Sequence, residues 1–417
     1  MIGLRYIPFC FGMLLSASVT AQQPTFQHWS SHRTGASFIG LNASGVAASS
    51  DFGNAFVKDF LSADHIDSAA IASGLKHLDP FANRIGGDYD VALMAKLNVA
   101  HSAHSILFRL ADVAHLHGSV PLASAQLLLI GNKPFLGDTV VASEMEASLW
   151  RYQQVGMGWQ YEPSPGTSYF VMASYINGEQ YLDAKVDRLW LYTSTLGDTL
   201  SAGLNGGYAQ SDTGSVGFAK PNGYGAALDF GFARDFKSEV GGWRLKAAVY
   251  NLGMVQWNPK TVHFAADTNL EWTGVKINDV TKVDEQFSGG TLEDSLGQSL
   301  TKLYHKGYTN EVIPGWAHAE LMRYRNQGAE FGGGMAIRWK AGYKPYGYLV
   351  GGYRFNDHIA MHGTAGYGGY AALQIGVQAS FEYEHLALAA RITNLETLVV
   401  PTQYAGGGAS LSLRYML

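Results

Sequence analysis

The chain has 417 residues, of which 15% are charged, with a net charge of −5, 50 glycines, 23 tyrosines and one cysteine. That charge content is well under the roughly 25% usual for soluble domains, and the mild acidity argues against a nucleic-acid partner. Beyond residue 21 nothing approaches the run of about 18 apolar residues that a membrane-spanning helix needs, so helical spans are excluded.

In chain order, residues 1–21 read as a secretory signal. Arg5 precedes the apolar run Ile7 to Leu15, and the small residues around Val19-Thr20-Ala21 place cleavage after Ala21. The single cysteine, Cys10, lies inside that run, so the mature chain has no disulfide and no thiolate metal site. Residues 54–78 show no period-two pattern. Phe56, Phe60 and Leu61, then Ile71, Leu75 and Leu78, follow helical spacing. The spacing predicts two short helices ahead of the first strand, in the position of a lumen plug within residues 22–85.

From residue 86 onward a different pattern takes over. In VGMGWQYE (155–162), Val155, Met157, Trp159 and Tyr161 fall on one face and Gly156, Gly158 and Gln160 on the other. Period two puts alternate residues on opposite faces of a strand. A strand that is bulky and apolar on one side and small on the other suits lipid outside and a lumen inside. YGAALDFGFA (224–233), FGGGMAIRWK (331–340), LQIGVQASFE (373–382) and ASLSLRYML (409–417) repeat the pattern. Each is about nine to eleven residues, the length of a tilted spanning strand. Segments of this kind start near 88, 104, 147, 168, 184, 199, 223, 242, 262, 315, 329, 345, 357, 371, 385 and 407. An open sheet cannot lie in lipid with unpaired edges, so the sheet must close. The expectation is an all-β fold: a closed antiparallel transmembrane β-barrel of about 14 (14–16) strands over residues 86–417. One insertion, 278–310, reads as helical, with Thr291 as N-cap, Asp294 three residues on, and Leu292, Leu296, Leu300 and Leu303 along one face.

Several stretches resemble a family. LKAAVYNLGMVQW (245–257), with Asn251, Gly253, Val255 and Trp257, is similar to a phrase typical of uncharacterised outer-membrane barrels of the Bacteroidota. DFGNAFVKDFLSADHID, NRIGGDYDVAL (83–93) and LLLIGNKPFLGDT (127–139) also resemble that family. It is in turn distantly similar to FadL-type barrels, which have 14 strands and an N-terminal plug. Some of those carry hydrophobic molecules, and others serve as barrel subunits of the type IX secretion machinery. The resemblance implies an integral outer-membrane protein of a Gram-negative bacterium that meets outer-membrane lipid and has no enzymatic role. Residues 22–85 lack the Asn-Pro-Ala sequence usual in the transporters' plug.

No chemical motif stands out. His101, His104, His115 and His117 cluster in sequence without a cysteine or a close carboxylate, which favours a polar segment over a metal site. No G-x-S-x-G marks a nucleophile. GNKPFLGDT lacks the Gly-Lys-Ser/Thr ending of a phosphate loop, and GTAGYGG (363–369) opens no helix. No catalytic, cofactor or metal residue is therefore assigned. The face assignments put Asp229, Arg244, Lys246, Arg338, Lys340, Glu382, Arg391 and Arg414 in the lumen, and Val155, Met157, Trp159, Tyr161, Phe230 and Phe232 against lipid. The sequence shows no apolar stripe in the lumen, which favours an anchor or subunit of an envelope assembly with other envelope proteins as partners. A FadL-like channel for small hydrophobic molecules is the alternative. On these faces Met157→Arg should impair assembly and Gly158→Ser should be tolerated unless the plug packs there.

Overall fold

The computed structural model describes residues 36–54, 56–57, 68–215, 217–238, 241–272, 303–325, 327–340, 342–401 and 404–417. The signal segment, Phe60 and Leu61 of the expected plug helices, and residues 278–302 of the expected helical insertion lie outside the described residues. The chain forms one closed, antiparallel, 14-strand β-barrel.

Its staves follow one another around the wall in chain order. They are β1 (Phe38–Ser49), β2 (Asn83–Asn98), β3 (His104–Val120), β5 (Met145–Ser164), β6 (Thr167–Thr193), β8 (Gly223–Ser238) and β9 (Gly241–Trp257). Next comes a stave in two pieces, β12 (Thr309–Val312) and β13 (Gly315–Tyr324), both paired to β9. The wall continues with β14 (Gly328–Trp339), β15 (Lys344–Arg354), β16 (Ile359–Gly369), β17 (Leu373–Tyr383), β18 (Leu386–Thr393) and β19 (Ala405–Met416). β1 closes the ring by pairing with β19 from Phe38↔Met416 to Ser49↔Ala405, and with β2 on its other side.

Four further strands stand apart from the staves. The short β4 (Thr139–Val141) pairs with the far end of β6. β7 (Leu200–Gln210) pairs with residues 182–193 of β6, which run on past the part of β6 that pairs with β8. β10 (Val262–Trp272) pairs with β7, and β11 (Tyr304–Lys306) with β10. Together they form a sheet continuing the wall beyond one rim.

The two ends of the barrel differ. The connections 99–103, 165–166, 355–358 and 384–385 are short and lie at the end holding Phe38 and Met416. At the other end lie 50–82, 121–144, 194–222, 258–308 and 394–404, together with the projecting sheet. Short turns at one end and long loops at the other are the asymmetry of bacterial outer-membrane barrels.

Three expectations change. The barrel begins at Phe38, inside the segment 22–85 assigned to the plug. β1 escapes notice because its sequence, FIGLNASGVAAS, is small on both faces over its second half. There it sits in a closure seam beside Gly86, Gly87 and Gly406. The helical segment 54–78 accordingly lies between β1 and β2 and not ahead of the first strand. Its described helix, Ser68–Leu75, is half-buried at Ile71, Gly74 and Leu75 and neighbours the helix Leu122–Ile130. Finally, the starts near 184, 199 and 262 belong to β6 and the projecting sheet, and residues 304–306 and 309–310 of the expected helical insertion 278–310 are strand.

Register shifts interrupt the wall at several points, and two of them are bulges that carry buried polar side chains. One inserts Glu179 into β6 opposite Arg151/Tyr152. At the other, Asn251 of β9 has no partner where Leu228 meets Leu252 and Phe230 meets Val249. Asn251 adopts φ 56°, a left-handed conformation that asparagine tolerates better than most side chains. Its N–H donates to the Asp229 carboxylate at 2.7 Å.

The glycine face is set by the neighbouring strand. A Cβ on Gly158 would lie 2.8 Å from Met172 Cβ and 3.0 Å from Met172 Cα, and one on Gly156 2.7 Å from Ser174 Oγ. The tolerance of Gly158→Ser therefore does not follow from this wall. The added atoms strike β6 backbone, so the variant is expected to lose about 1–3 kcal/mol as an overpacked site. The temperature at which the folded form stops migrating faster than the boiled form on a gel checks it.

Candidate functional site

The lumen is the site, and alternation along each stave decides which side chains reach it. Val155, Met157 and Trp159 are 54, 59 and 43% exposed on the outer wall, with Tyr161 half-buried beside them. Phe230 and Phe232 are 44 and 38% exposed. The outer surface carries Leu93, Phe108, Leu110, Leu252, Leu349, Met361 and Leu413 at the corresponding level, a continuous apolar belt. Tyr175 and Tyr224 pack at its long-loop edge, and Trp159 and Tyr161 stack in parallel at its short-turn edge.

Seven of the eight lumenal candidates lie on the less exposed face of their staves and Lys340 follows the last residue of β14, but they do not gather into one centre. Arg244 holds Asp235 through two donors at 2.5 and 2.6 Å. Lys246 lies 3.7 Å from Glu320, which also accepts from Tyr348 at 2.9 Å. Arg391 donates to Thr364 at 3.3 Å. The Arg414 guanidinium lies over the Phe38 ring, 5.3 Å from its centroid. Glu382 is half-buried on the inner face. Asp229 is buried at the β9 bulge, where Asn251 also donates to Tyr152 Oη at 3.2 Å. Lys340 reaches the rim, 3.2 Å from Glu311 and 4.0 Å from Asp183.

Arg338 is the exception in reach. From β14 it pairs with Asp88 on β2, and β2 and β14 are the second and ninth of the 14 staves, on opposite walls. Asp88 Oδ1 also meets His115 Nδ1 at 2.7 Å, and Tyr370 Oη sits 3.0 Å from the same nitrogen. Tyr343 supports the guanidinium face 5.5 Å away and meets the Tyr370 ring edge-on at 5.0 Å. This latch crosses the lumen near its long-loop end.

On one side of the latch, inward apolar residues form a single contiguous cluster running the depth of the barrel. It starts with Trp150, Tyr181 and Trp257 at the long-loop end and continues through Tyr152, Ile176 and Val255. It then reaches Met94, Leu107 and Met172, and ends at Phe38 and Met416 by the short turns. The tyrosines 343, 346, 348 and 370 form a second cluster with Val46 and Ala48. The sequence reading of a lumen without an apolar stripe is thus overturned. The stripe is assembled from one or two residues per stave, which no single segment displays. A signal existed, because carrying the Gly158–Gly156 face back along β5 leads to Tyr152 and Trp150.

The outer wall holds a polar group that no alternation pattern flagged. Tyr89 donates to Asp112 at 2.7 Å. Gln153 donates to Asp112 at 3.0 Å and to Glu179 at 2.8 Å, and Asn177 donates to Gln153 at 2.7 Å. Arg151 lies 3.3 Å from Glu179. These residues face outward just above Val155 and Tyr175, so the belt stops early on β3, β5 and β6. Outward charges at that height are tolerable because they satisfy one another.

The four histidines separate. His101 lies in the turn between β2 and β3, and His104 stacks on Trp159 and Tyr161 on the outer wall. His115 and His117 face inward near the other end. Among the described residues no group of three or more His, Cys, Asp or Glu is placed to hold a metal ion.

Residues 33–389 match a family of unknown function, DUF5723. The chain belongs to the DUF5723 family. No curated protein matches this DUF5723 chain. Among solved structures it is similar to a FadL homologue of Pseudomonas aeruginosa, at 9% identity, TM-score 0.43 and coverage of 91% of this chain and 90% of that one. It is similar to the toluene transporter TodX of P. putida at 8% identity and TM-score 0.41, covering 92% and 91%. It is also similar to the translocator domain of the autotransporter NalP from Neisseria meningitidis at 10% identity and TM-score 0.34, covering 99% and 97%. Identity and shape agreement are both too low for a function to be read across to this DUF5723 member.

Proposed function

We propose that the protein is an integral outer-membrane barrel that admits a small hydrophobic or amphipathic molecule along the lumenal apolar lane. The observation carrying this reading is the contiguity of that lane, from Trp150 and Trp257 at the long-loop end to Phe38 and Met416 at the short-turn end. Aromatic and aliphatic side chains favour an apolar guest, because burying its surface is worth about 25 cal/mol per Å², while buried Lys96, Arg109 and Gln154 beside them supply polar contacts for an amphipathic one. The lane's flank of ion pairs keeps hydrophilic solutes from gaining the same advantage. The long loops, with the projecting sheet of β7, β10 and β11, face the cell exterior in this reading, and the short turns face the periplasm.

Trp150 and Trp257 lie 5.8 Å apart by ring centroids at the mouth of the lane and supply the test. Oleate and toluene, titrated separately into the detergent-purified barrel, should produce a saturable change in tryptophan fluorescence with at least one probe. A Trp150→Phe/Trp257→Phe barrel should lose most of that change. No saturable change in folded protein, or an identical one in the double variant, would remove the channel reading. Copurification of a stoichiometric envelope protein by the same preparation would favour an anchor or assembly subunit instead.

A further inference from the structure

The projecting sheet carries a pair of imidazoles that the channel does not use. β10 and β11 pair as Val262↔Lys306, His263↔His305 and Phe264↔Tyr304, so the two histidines are directly opposed across the strands. Their rings stack with centroids 4.8 Å apart and planes only 11° from parallel. The neighbours are small: Ala265 two residues along β10, Ala209 opposite on β7, and Gly307 two residues along from His305. His305 is exposed and His263 half-buried, and among the described residues neither ring hydrogen-bonds or pairs with a charge. The adjoining aromatic group, Tyr208, Phe264 and Tyr304, lies on alternate positions and so packs on the opposite face of the sheet.

Two imidazoles held side by side on one register pair of a ladder can act together as a bidentate ligand. A metal bound at about 2.0–2.1 Å to two cis nitrogens needs those nitrogens about 3 Å apart. Rotation of the two rings out of the stack, which turns their in-plane lone pairs toward a common point, supplies that separation. We infer that His263 and His305 chelate a divalent transition-metal ion of the copper, nickel or zinc type, with water completing its shell. Imidazole suits these ions, and copper binds tightest at a given nitrogen site. The ion would cross-link β10 to β11 at this register pair.

The experiment uses the full chain in detergent, purified through a histidine-free tag and stripped with chelator, then titrated with Cu²⁺. One ion per barrel is expected, with nitrogen hyperfine structure in its electron paramagnetic resonance spectrum. His263→Ala and His305→Ala should each weaken binding by on the order of tenfold or more, since even the loss of an outer-shell partner costs that much. His101→Ala should leave it unchanged, and heat-modifiable migration should show that all three variants are folded. Absence of stoichiometric binding in the native barrel, or equal binding in both sheet variants, would overturn the inference. Neither result bears on the lumenal channel.

Discussion

Met157→Arg leaves little assembled barrel in the membrane. The native side chain is more than half exposed on the outer wall, between Val155 and Trp159 in the apolar belt. No acidic partner stands beside it on the neighbouring strands, where Phe108 and Ala173 are its register partners. An arginine there meets hydrocarbon at a cost of about 2–4 kcal/mol near the midplane. The cost falls on the assembled state alone, and marginal stability makes it a large share of the total. Membrane fractionation with unboiled gel migration measures the outcome, with Met157→Leu as the control that retains full assembly. Unimpaired assembly of Met157→Arg would place this face away from lipid.

Arg338→Met has the second large effect, through the lumen. Arg338 bridges opposite walls to Asp88, and its removal leaves a largely enclosed carboxylate whose remaining partners are His115 and Tyr370. Breaking a buried pair from one side typically costs about 3–5 kcal/mol, because the stranded charge keeps its desolvation penalty. The thermal midpoint of the heat-modifiable form should fall accordingly. An Arg338→Met/Asp88→Leu barrel, with both charges replaced by apolar groups, should recover much of that loss. If the latch also narrows the passage, the double variant should take up oleate or toluene into liposomes faster than the native barrel. A single variant as stable as the native protein would mean that the two walls are held together by other contacts.

How much of this was legible in the sequence can be argued from particular strands. β5, β8, β14, β17 and β19 were readable because one face is bulky and apolar while the other is small or polar, a contrast that lipid on one side imposes. β1 was not readable, because its small residues serve close packing at the seam and carry little hydrophobic contrast. β7 and β10 were readable as strands but not as strands outside the belt, since both positions demand the same backbone. The inward positions of Asp229, Arg244 and Arg338 followed from alternation, whereas the identity of Arg338's partner did not. Asp88 lies 250 positions away in the chain and meets it only because the sheet closes.

The sequence by itself determined the class of the molecule: its period-two contrast and low charge leave a closed barrel as the structure that satisfies every backbone group in lipid. Alternation is a local property, so it also marked the apolar face of β5, β8, β14, β17 and β19. The number of staves, the seam at β1, the cross-lumen latch and the apolar lane were decided by tertiary structure. Each joins residues from different strands, and their proximity depends on register and closure, which no single segment encodes.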